Sequence, residues 1–354
     1  MTLPPRPPSD AEAAVVLSAE GVATAFREGR VDGPLGPLAP MAARLTPRAL
    51  VLETPGAVLK LRRPRRVLGL DLTTRTLRTW ATEQELWIGR RASPHVYLGD
   101  ASLRWEGERF TLVPGLLQGE PVVAMNRLDD FGWADLWLAS GPTDAEPLRE
   151  LLGRVATFHE EAPMHRAYDG WGAPERVPER WREALRALDG PPGAEPLLAP
   201  EARAYLAEET EGWLEVLAGH LVHRVMEGRI RHLHADLRLE HLHLGDEPAI
   251  IDPGEGDDDE HWGDTAEDVA MIGLELDAAG RPDLAEQALD IYAGQTWDRT
   301  LRYVTPLFKR LAAVRRAAAE RALADEGAPA QRASTLAHAR SLAELALAYG
   351  AWPG

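Results

Sequence analysis

The stretch that decides the reading is His232–Asp268, HLHADLRLEHLHLGDEPAIIDPGEGDDDEHWGDTAED. Asp236 stands among His232, His234, His241 and His243. A short apolar run, PAII, then ends in Asp252, and an acid-rich loop, DDDEHWGD, follows. A carboxylate at the end of a buried strand, entering a glycine-containing turn, is a ligand candidate, although aspartate is also common in strand-terminal turns. Two carboxylates presented from neighbouring backbone turns can seat a base and a divalent cation side by side, as phosphoryl transfer requires. His232, His234 and Asp236 also fit an H-x-H-x-D ligand spacing, so a zinc hydrolase is a rival reading. Against it, Leu237 follows Asp236 where a binuclear hydrolase would need another histidine, and no second His/Asp group occurs in a matching context. In the plainest reading His232 and His243 only pack or face solvent, and the loop acids are solvated charge.

Upstream, ALVLETPGAVLKLRRP (Ala49–Pro64) reads as two strands about a Pro-Gly turn. Within it Lys60 lies between Leu59 and Leu61, so pleating sends it to the face opposite theirs. It is either a solvent-facing lysine of an edge strand or a point charge for nucleotide phosphates. LTTRTLRTWATEQELWIGRR (Leu72–Arg91) follows, with Leu77, Trp80, Ala81, Trp87 and Ile88 at near-helical spacing. Its Glu85 is either an exposed helix carboxylate or the ion-pair partner that holds Lys60, with Glu83 as a competitor. HVYLGDASLRW, RFTLVPG and PVVAMNRL are strand-like. Downstream, helical patterns dominate: one through Leu148, Leu151, Leu152, Val155, Ala156 and His159, another over 201–226, and further ones at 265–278, 282–293, 306–325 and 331–348. Residues around 160–200 are rich in proline and glycine and read as an irregular excursion. The division expected is 1–45, an N-terminal extension with a disordered, proline-rich start; 46–128, a β-rich lobe with one inserted helix; and 129–354, a helical lobe.

Composition bounds the function. With 354 residues and 45% hydrophobic content, the chain can build a sizeable core. A net charge of −17 disfavours nucleic acid or an anionic membrane as partner, and is compatible with cationic small molecules and bound Mg²⁺. Cysteine is absent, which excludes disulfides and thiolate metal sites. No apolar run approaches the ~20 residues of a membrane span. The start, MTLPPRPPSDAEAA, has no apolar segment of a secretory signal, so a cytoplasmic location is expected.

Taken in chain order, a strand lysine, a helix glutamate, H-x-D, I-D and an acidic helix start resemble the aminoglycoside phosphotransferase-like kinases. The nearest likeness is to a bacterial subgroup often fused to a P-loop ATPase domain. The segments that carry it include LKLRRP, ATEQELWIGRRASPHVYLG, VVAMNRL, HADLRLEHLHL, AIID and GDTAEDVAMIGLEL, and they span roughly 50–320. No G-x-x-x-x-G-K-[ST] occurs in the chain itself.

The resemblance implies an α+β, two-lobed protein-kinase-like fold, with a small β-rich N-lobe and a larger helical C-lobe. It implies ATP- or GTP-dependent phosphorylation of a small-molecule hydroxyl, with Mg²⁺. On that resemblance Lys60 contacts the nucleotide phosphates, Glu85 orients it, and Met125 with its neighbours forms a hinge whose backbone reads the base. Asp236 positions and deprotonates the acceptor hydroxyl, and Asp252 is the principal Mg²⁺ ligand. His234 braces the catalytic loop, and Asp264 and Asp268 brace the start of the next helix. The family pattern is H-G-D-L-H-x-x-N, with the asparagine as second metal ligand; here it reads H-A-D-L-R-L-E-H, which puts His241 in that place. Mg²⁺ prefers oxygen to imidazole. Ala235 replaces a glycine, Asp252 continues as Pro-Gly, and the hairpin before Lys60 has only Gly56. These departures keep a non-catalytic, nucleotide-binding or scaffold protein as the alternative.

Overall fold

In the structure, a computed structural model, residues 18–34, 36–67, 69–164, 174–256, 261–326 and 329–349 are described. The expected disordered start and the DDDE half of the acid-rich loop lie outside these residues. The chain divides into two units: the described part of Met1–Gly132 with that of Ala249–Asp258, and the described part of Trp133–Pro248 with that of Asp259–Gly354.

The first unit opens with helix α1 (Ala19–Arg27), then strands β1 (Val31–Gly33), β2 (Gly36–Pro37), β3 (Ala42–Leu45), β4 (Ala49–Glu53) and β5 (Ala57–Arg62). A two-stranded ribbon, β6 (Arg66–Val67) and β7 (Leu70–Asp71), leads to helix α2 (Arg75–Ala92). Strands β8 (Tyr97–Trp105), β9 (Phe110–Pro114) and β10 (Glu120–Asn126) complete it. Eight strands form one sheet in the order β2-β1-β9-β8-β10-β5-β4-β3, antiparallel except for β1 against β9. The period of two sorts the strand residues onto two faces. Leu50, Leu52, Leu59, Leu61, Ala101, Leu103 and Val122 pack on one face against Val22, Ala23 and Phe26 of α1. On the other, Val123 and Met125 pack against Leu86 of α2. Strands β1, β2 and β3, from the stretch set apart in the sequence as an extension, therefore belong to the sheet, and α1 packs on its face. Their signal was weak because β1 and β2 are only three and two residues long. Helix α2 starts where the Thr74 side chain accepts from Leu77 N–H, and stops at Ser93.

The second unit is helical: α3 (Ala134–Ala139), α4 (Arg149–Glu161), α5 (Arg176–Leu188), α6 (Pro200–Met226), α7 (Thr265–Ala278), α8 (Pro282–Thr296), α9 (Leu301–Glu326) and α10 (Pro329–Ala348). Short strands β11 (Ile230–His232) and β14 (Trp262–Asp264) pair antiparallel, and β12 (Leu242–His243) is the other short strand of this unit, β13 (Ala249–Ile250) belonging to the first. Part of the excursion read at 160–200 is helix α5. Its buried Val177, Trp181, Ala184, Leu185 and Leu188 keep helical spacing, masked in the sequence by nearby prolines. Helix α9, expected from Pro306, begins at Leu301 with the proline inside it. The fully buried Leu301 and Val304 secure that first turn by packing, which outweighs the hydrogen bond the proline cannot donate. Among the described residues no helix is long and apolar enough to cross a membrane.

Candidate active site

The candidate residues fall into two groups, one in each unit. In the first, Lys60 lies opposite Val51 of β4 and Val123 of β10, so its backbone is held on both edges. Leu59 and Leu61 fill the α1-side core, and the pleat therefore turns Lys60 and Arg62 to the other face. There Lys60 Nζ meets Glu85 Oε2 at 3.0 Å, hydrogen-bonds Asp252 Oδ1, and has Glu255 Oε1 at 3.7 Å. Arg62 Nη2 donates to the same Glu85 Oε2 at 2.8 Å and pairs with Glu255 Oε1 at 3.2 Å. Lys60, Arg62 and Glu85 are all buried, whereas Glu83 is exposed and takes no part. Burial opposes the charge on Lys60, but Asp252, Glu85 and Glu255 outweigh it and hold the amine above the ordinary lysine value. Lys60 is thus a permanent cation. The group sets two cations against three carboxylates, an excess of one negative charge that a divalent cation would reverse.

Asp252 is anchored by its backbone. Its N–H donates to the Tyr97 hydroxyl at 3.0 Å, and Ile250 N–H donates to Ser93 Oγ at 2.7 Å. Burial, followed by the Glu85 and Asp252 charges, holds the Tyr97 phenol well above its usual value, so it stays protonated. Tyr97 fits because residue 89 is glycine: a Cβ there would lie 2.3–2.5 Å from the ring. Asp252 adopts φ 59°, a left-handed conformation aspartate tolerates better than most residues. Its side chain is 41% exposed, and a carboxylate that is part open and part held by Lys60 suits a hard cation such as Mg²⁺. Met125 is buried near the end of β10, packed with Leu86, Val96 and Tyr97.

In the second unit, the loop from His234 to His241 is held by two acids on α7. Asp268 accepts from His234 N–H at 2.8 Å and Ala235 N–H at 2.9 Å, and its Oδ2 bonds His159 Nε2 at 3.1 Å. His159 Nδ1 in turn bonds the Tyr292 hydroxyl at 2.7 Å. Burial raises the Asp268 pKa, yet the bond to His159 and the loop N–H groups leave it below the usual carboxylate value. Two turns along the same helix, Glu275 Oε2 accepts from Leu239 N–H at 2.8 Å. Asp264 caps α7 in a reciprocal arrangement with Glu267. Asp264 also takes Arg224 bidentately at 2.5 and 2.7 Å, and Asp298 holds the other edge of that guanidinium at 2.8 Å.

Asp236 is half-exposed at the tip of this loop. Arg238 Nε lies 3.0 Å from its Oδ1. His241 Nδ1 bonds the Asp236 carbonyl at 2.8 Å, and His241 Nε2 bonds Arg238 Nη2 at 2.9 Å. Since a carbonyl only accepts and a guanidinium only donates, Nδ1 carries the proton and the Nε2 lone pair is spent on Arg238. His241, expected as a metal ligand, is therefore not arranged as one. Ala235 has φ 67°, the left-handed conformation that glycine adopts most readily. His234 is fully buried. His232 stacks on His261 at 5.1 Å, and among the described residues no group of three or more His, Asp or Glu is placed to hold a metal.

Sequence reading missed Arg62, Glu255, His159, Arg224, Arg238 and Glu275. Arg62 was within reach, two residues beyond Lys60 and hence on its face of the strand. Glu275 stands seven residues after Asp268, the two-turn repeat of one helix face.

No family model matches the chain. It is similar to uncharacterized proteins of Mycobacterium tuberculosis and Mycobacterium bovis, each 29% identical over 300 residues, covering 83% of this chain and 57% of theirs. The chain thus spans little more than half the length of those relatives. Among solved structures it is similar to the GDP complex of aminoglycoside 2′-phosphotransferase-IIIa, at 16% identity and TM-score 0.50, covering 88% of this chain and 93% of that one. A choline/ethanolamine kinase family protein from Mesorhizobium loti gives 14% and 0.51, covering 89% and 92%. The choline kinase from Cryptosporidium parvum gives 12% and 0.53, covering 88% of each. The chain therefore has the protein-kinase-like fold, of mixed α+β class.

Proposed function

We propose that this chain transfers the terminal phosphoryl group of ATP or GTP to a hydroxyl of a small molecule. The observation that supports this most is the buried Lys60–Glu85 pair at 3.0 Å with Asp252 on the same ammonium. In this reading Lys60 grips the nucleotide phosphates, Glu85 fixes its position, and the backbone beside Met125 reads the base. Asp252 would hold Mg²⁺, which would neutralise charge on the phosphates. Asp236 accepts the proton of the acceptor hydroxyl. The acceptor oxygen bonds to the γ-phosphorus, the bond from that phosphorus to the bridging oxygen breaks, and the nucleoside diphosphate leaves. His234, Asp264 and Asp268 hold the loop, so the chain supplies mainly positioning.

The acceptor class we propose is a cationic hydroxyl compound. The net charge of −17 supports it, and the solved neighbours are named for aminoglycosides, choline and ethanolamine. The same charge speaks against nucleic acid and anionic membranes as partners. The finer placement, in the subgroup fused to a P-loop ATPase domain, is supported by the greater length of the mycobacterial relatives. A non-catalytic nucleotide-binding protein is the second reading, favoured by Arg238 on Asp236. Turnover of purified protein with amino alcohols and aminoglycosides separates the two. Asp236→Asn should abolish phosphate transfer while nucleotide still raises the melting temperature, and Asp252→Ala should weaken only the Mg²⁺-dependent part of that rise. If both variants match the wild type, the site is misassigned.

A further inference from the structure

We infer that Arg238 is a built-in cation of the catalytic loop, and that the protein binds nucleotide with a single divalent ion. This deepens, and rests on, the nucleotide-binding reading of Lys60 and Asp252. Within six residues the loop presents the groups that divalent ions seek: the Asp236 carboxylate, the Glu240 carboxylate and the His241 imidazole. All three converge on Arg238. Its Nε lies 3.0 Å from Asp236 Oδ1, its Nη1 pairs with Glu240 Oε1, and its Nη2 donates to His241 Nε2 at 2.9 Å. The planar guanidinium offers donors in three directions and keeps its charge at every physiological pH.

The imidazole makes the arrangement one-sided. A metal needs the lone pair on His241 Nε2, and Arg238 occupies it; the other ring nitrogen is committed to the Asp236 carbonyl at 2.8 Å. The histidine ring is buried, with its side chain only 7% exposed, so it cannot swing out to offer either nitrogen without breaking both bonds. A second divalent ion at this loop would have to expel a cation already paired with its two carboxylates and hydrogen-bonded to its imidazole. The imidazole in place of an asparagine then has a function: it receives the arginine as an acceptor. Arg238 is in this sense a positioning residue, setting the orientation of Asp236 from one side while the Asp236 carbonyl is fixed from the other.

The test counts ions. The full chain is titrated with Mn²⁺ at saturating non-hydrolysable ATP analogue, and bound Mn²⁺ is read as the loss of free-ion EPR signal. The wild type should hold one Mn²⁺ per bound nucleotide, and the logarithm of nucleotide affinity should rise with free Mn²⁺ at a slope of about one. Arg238→Gln should hold two, with a slope near two. Two ions in the wild type overturn the inference and leave the nucleotide reading standing. One ion in a folded, nucleotide-binding Arg238→Gln overturns it as well. Should that variant fail to fold, the wild-type count and slope still decide. Absence of nucleotide binding by the wild type removes the nucleotide reading and this inference together.

Discussion

Replacing Asp268 with asparagine tests how the His234–His241 loop is held, because the two side chains match in shape and differ in one oxygen. Asp268 is 2% exposed and bonds three partners: His234 N–H at 2.8 Å, Ala235 N–H at 2.9 Å and His159 Nε2 at 3.1 Å. Asparagine keeps a single acceptor oxygen. Its NH₂ must take the place of Oδ1, which accepts from Ala235 N–H, or of Oδ2, which accepts from His234 N–H and also bonds His159, so it faces a backbone N–H either way. The histidine can adapt by exchanging tautomer, since its other nitrogen faces a hydroxyl that donates or accepts. The backbone N–H cannot, so one buried donor is orphaned at about 1–3 kcal/mol. The remaining bonds lose their ionic partner, roughly another 1 kcal/mol in total. The expected loss is about 3 kcal/mol, read as a lower urea midpoint at unchanged slope, and as a melting point lower by about 6–12 °C. Nucleotide binding should persist, because Lys60, Glu85 and Asp252 lie in the other unit. A loss below about 1 kcal/mol would refute the idea that these bonds hold the loop.

Ala235→Gly should stabilise the protein by about 0.5–1 kcal/mol: relief of the left-handed alanine gives roughly 1–2 kcal/mol, less about 0.4–1 for the freer unfolded chain. Chemical denaturation checks it, and a destabilised variant contradicts the φ of 67°. Gly89→Ala forces the Tyr97 ring aside and should cost about 1–3 kcal/mol by overpacking. It should also weaken Mg²⁺-dependent nucleotide binding through Asp252, which calorimetry would show. Burial, then His232, lowers the His261 pKa from 6.5 to about 3. The unfolded state therefore binds more protons in that interval. The stability of neutral His261 is complete above pH 6.5 and is lost as the pH falls towards 3, at up to about 1.4 kcal/mol per pH unit. His261→Phe should flatten the stability profile across that window, and an unchanged profile would assign the acid sensitivity elsewhere.

The hairpin around Lys60 was legible because alternation and a Pro-Gly turn are local signals, and the long helices because their apolar spacing survives over several turns. The Lys60–Glu85 pair could be named only through the ordered set of motifs: burial does not single it out, since Arg62 in the same strand and Arg78, Thr82 and Gln84 in the same helix are buried too. Glu255 was hidden: in the sequence it is one acid in an acidic run, and only the fold turns it inward onto Lys60 and Arg62. Arg238 was hidden for a different reason. Its meaning depends on the His241 tautomer, which is set by two hydrogen bonds closing within the loop and leaves no trace in spacing. Helix α5 was lost because proline and glycine composition drowned a five-residue apolar stripe.

Arg224, Asp264 and Asp298 have a consequence for how this chain can change over generations. All three are 3% exposed or less. Losing the arginine takes the principal counter-charge from two buried aspartates, leaving Asp264 its helix cap and Asp298 Thr300 and Arg229 at 3.8 Å, and losing either acid leaves the guanidinium half-answered. Each single step costs about 3–5 kcal/mol, against a typical total of 5–15 kcal/mol. No gradual path leads out of the triad, so descendants should inherit it whole or replace it whole. A natural sequence that had lost Arg224 while keeping both aspartates would be a lineage caught on a forbidden step.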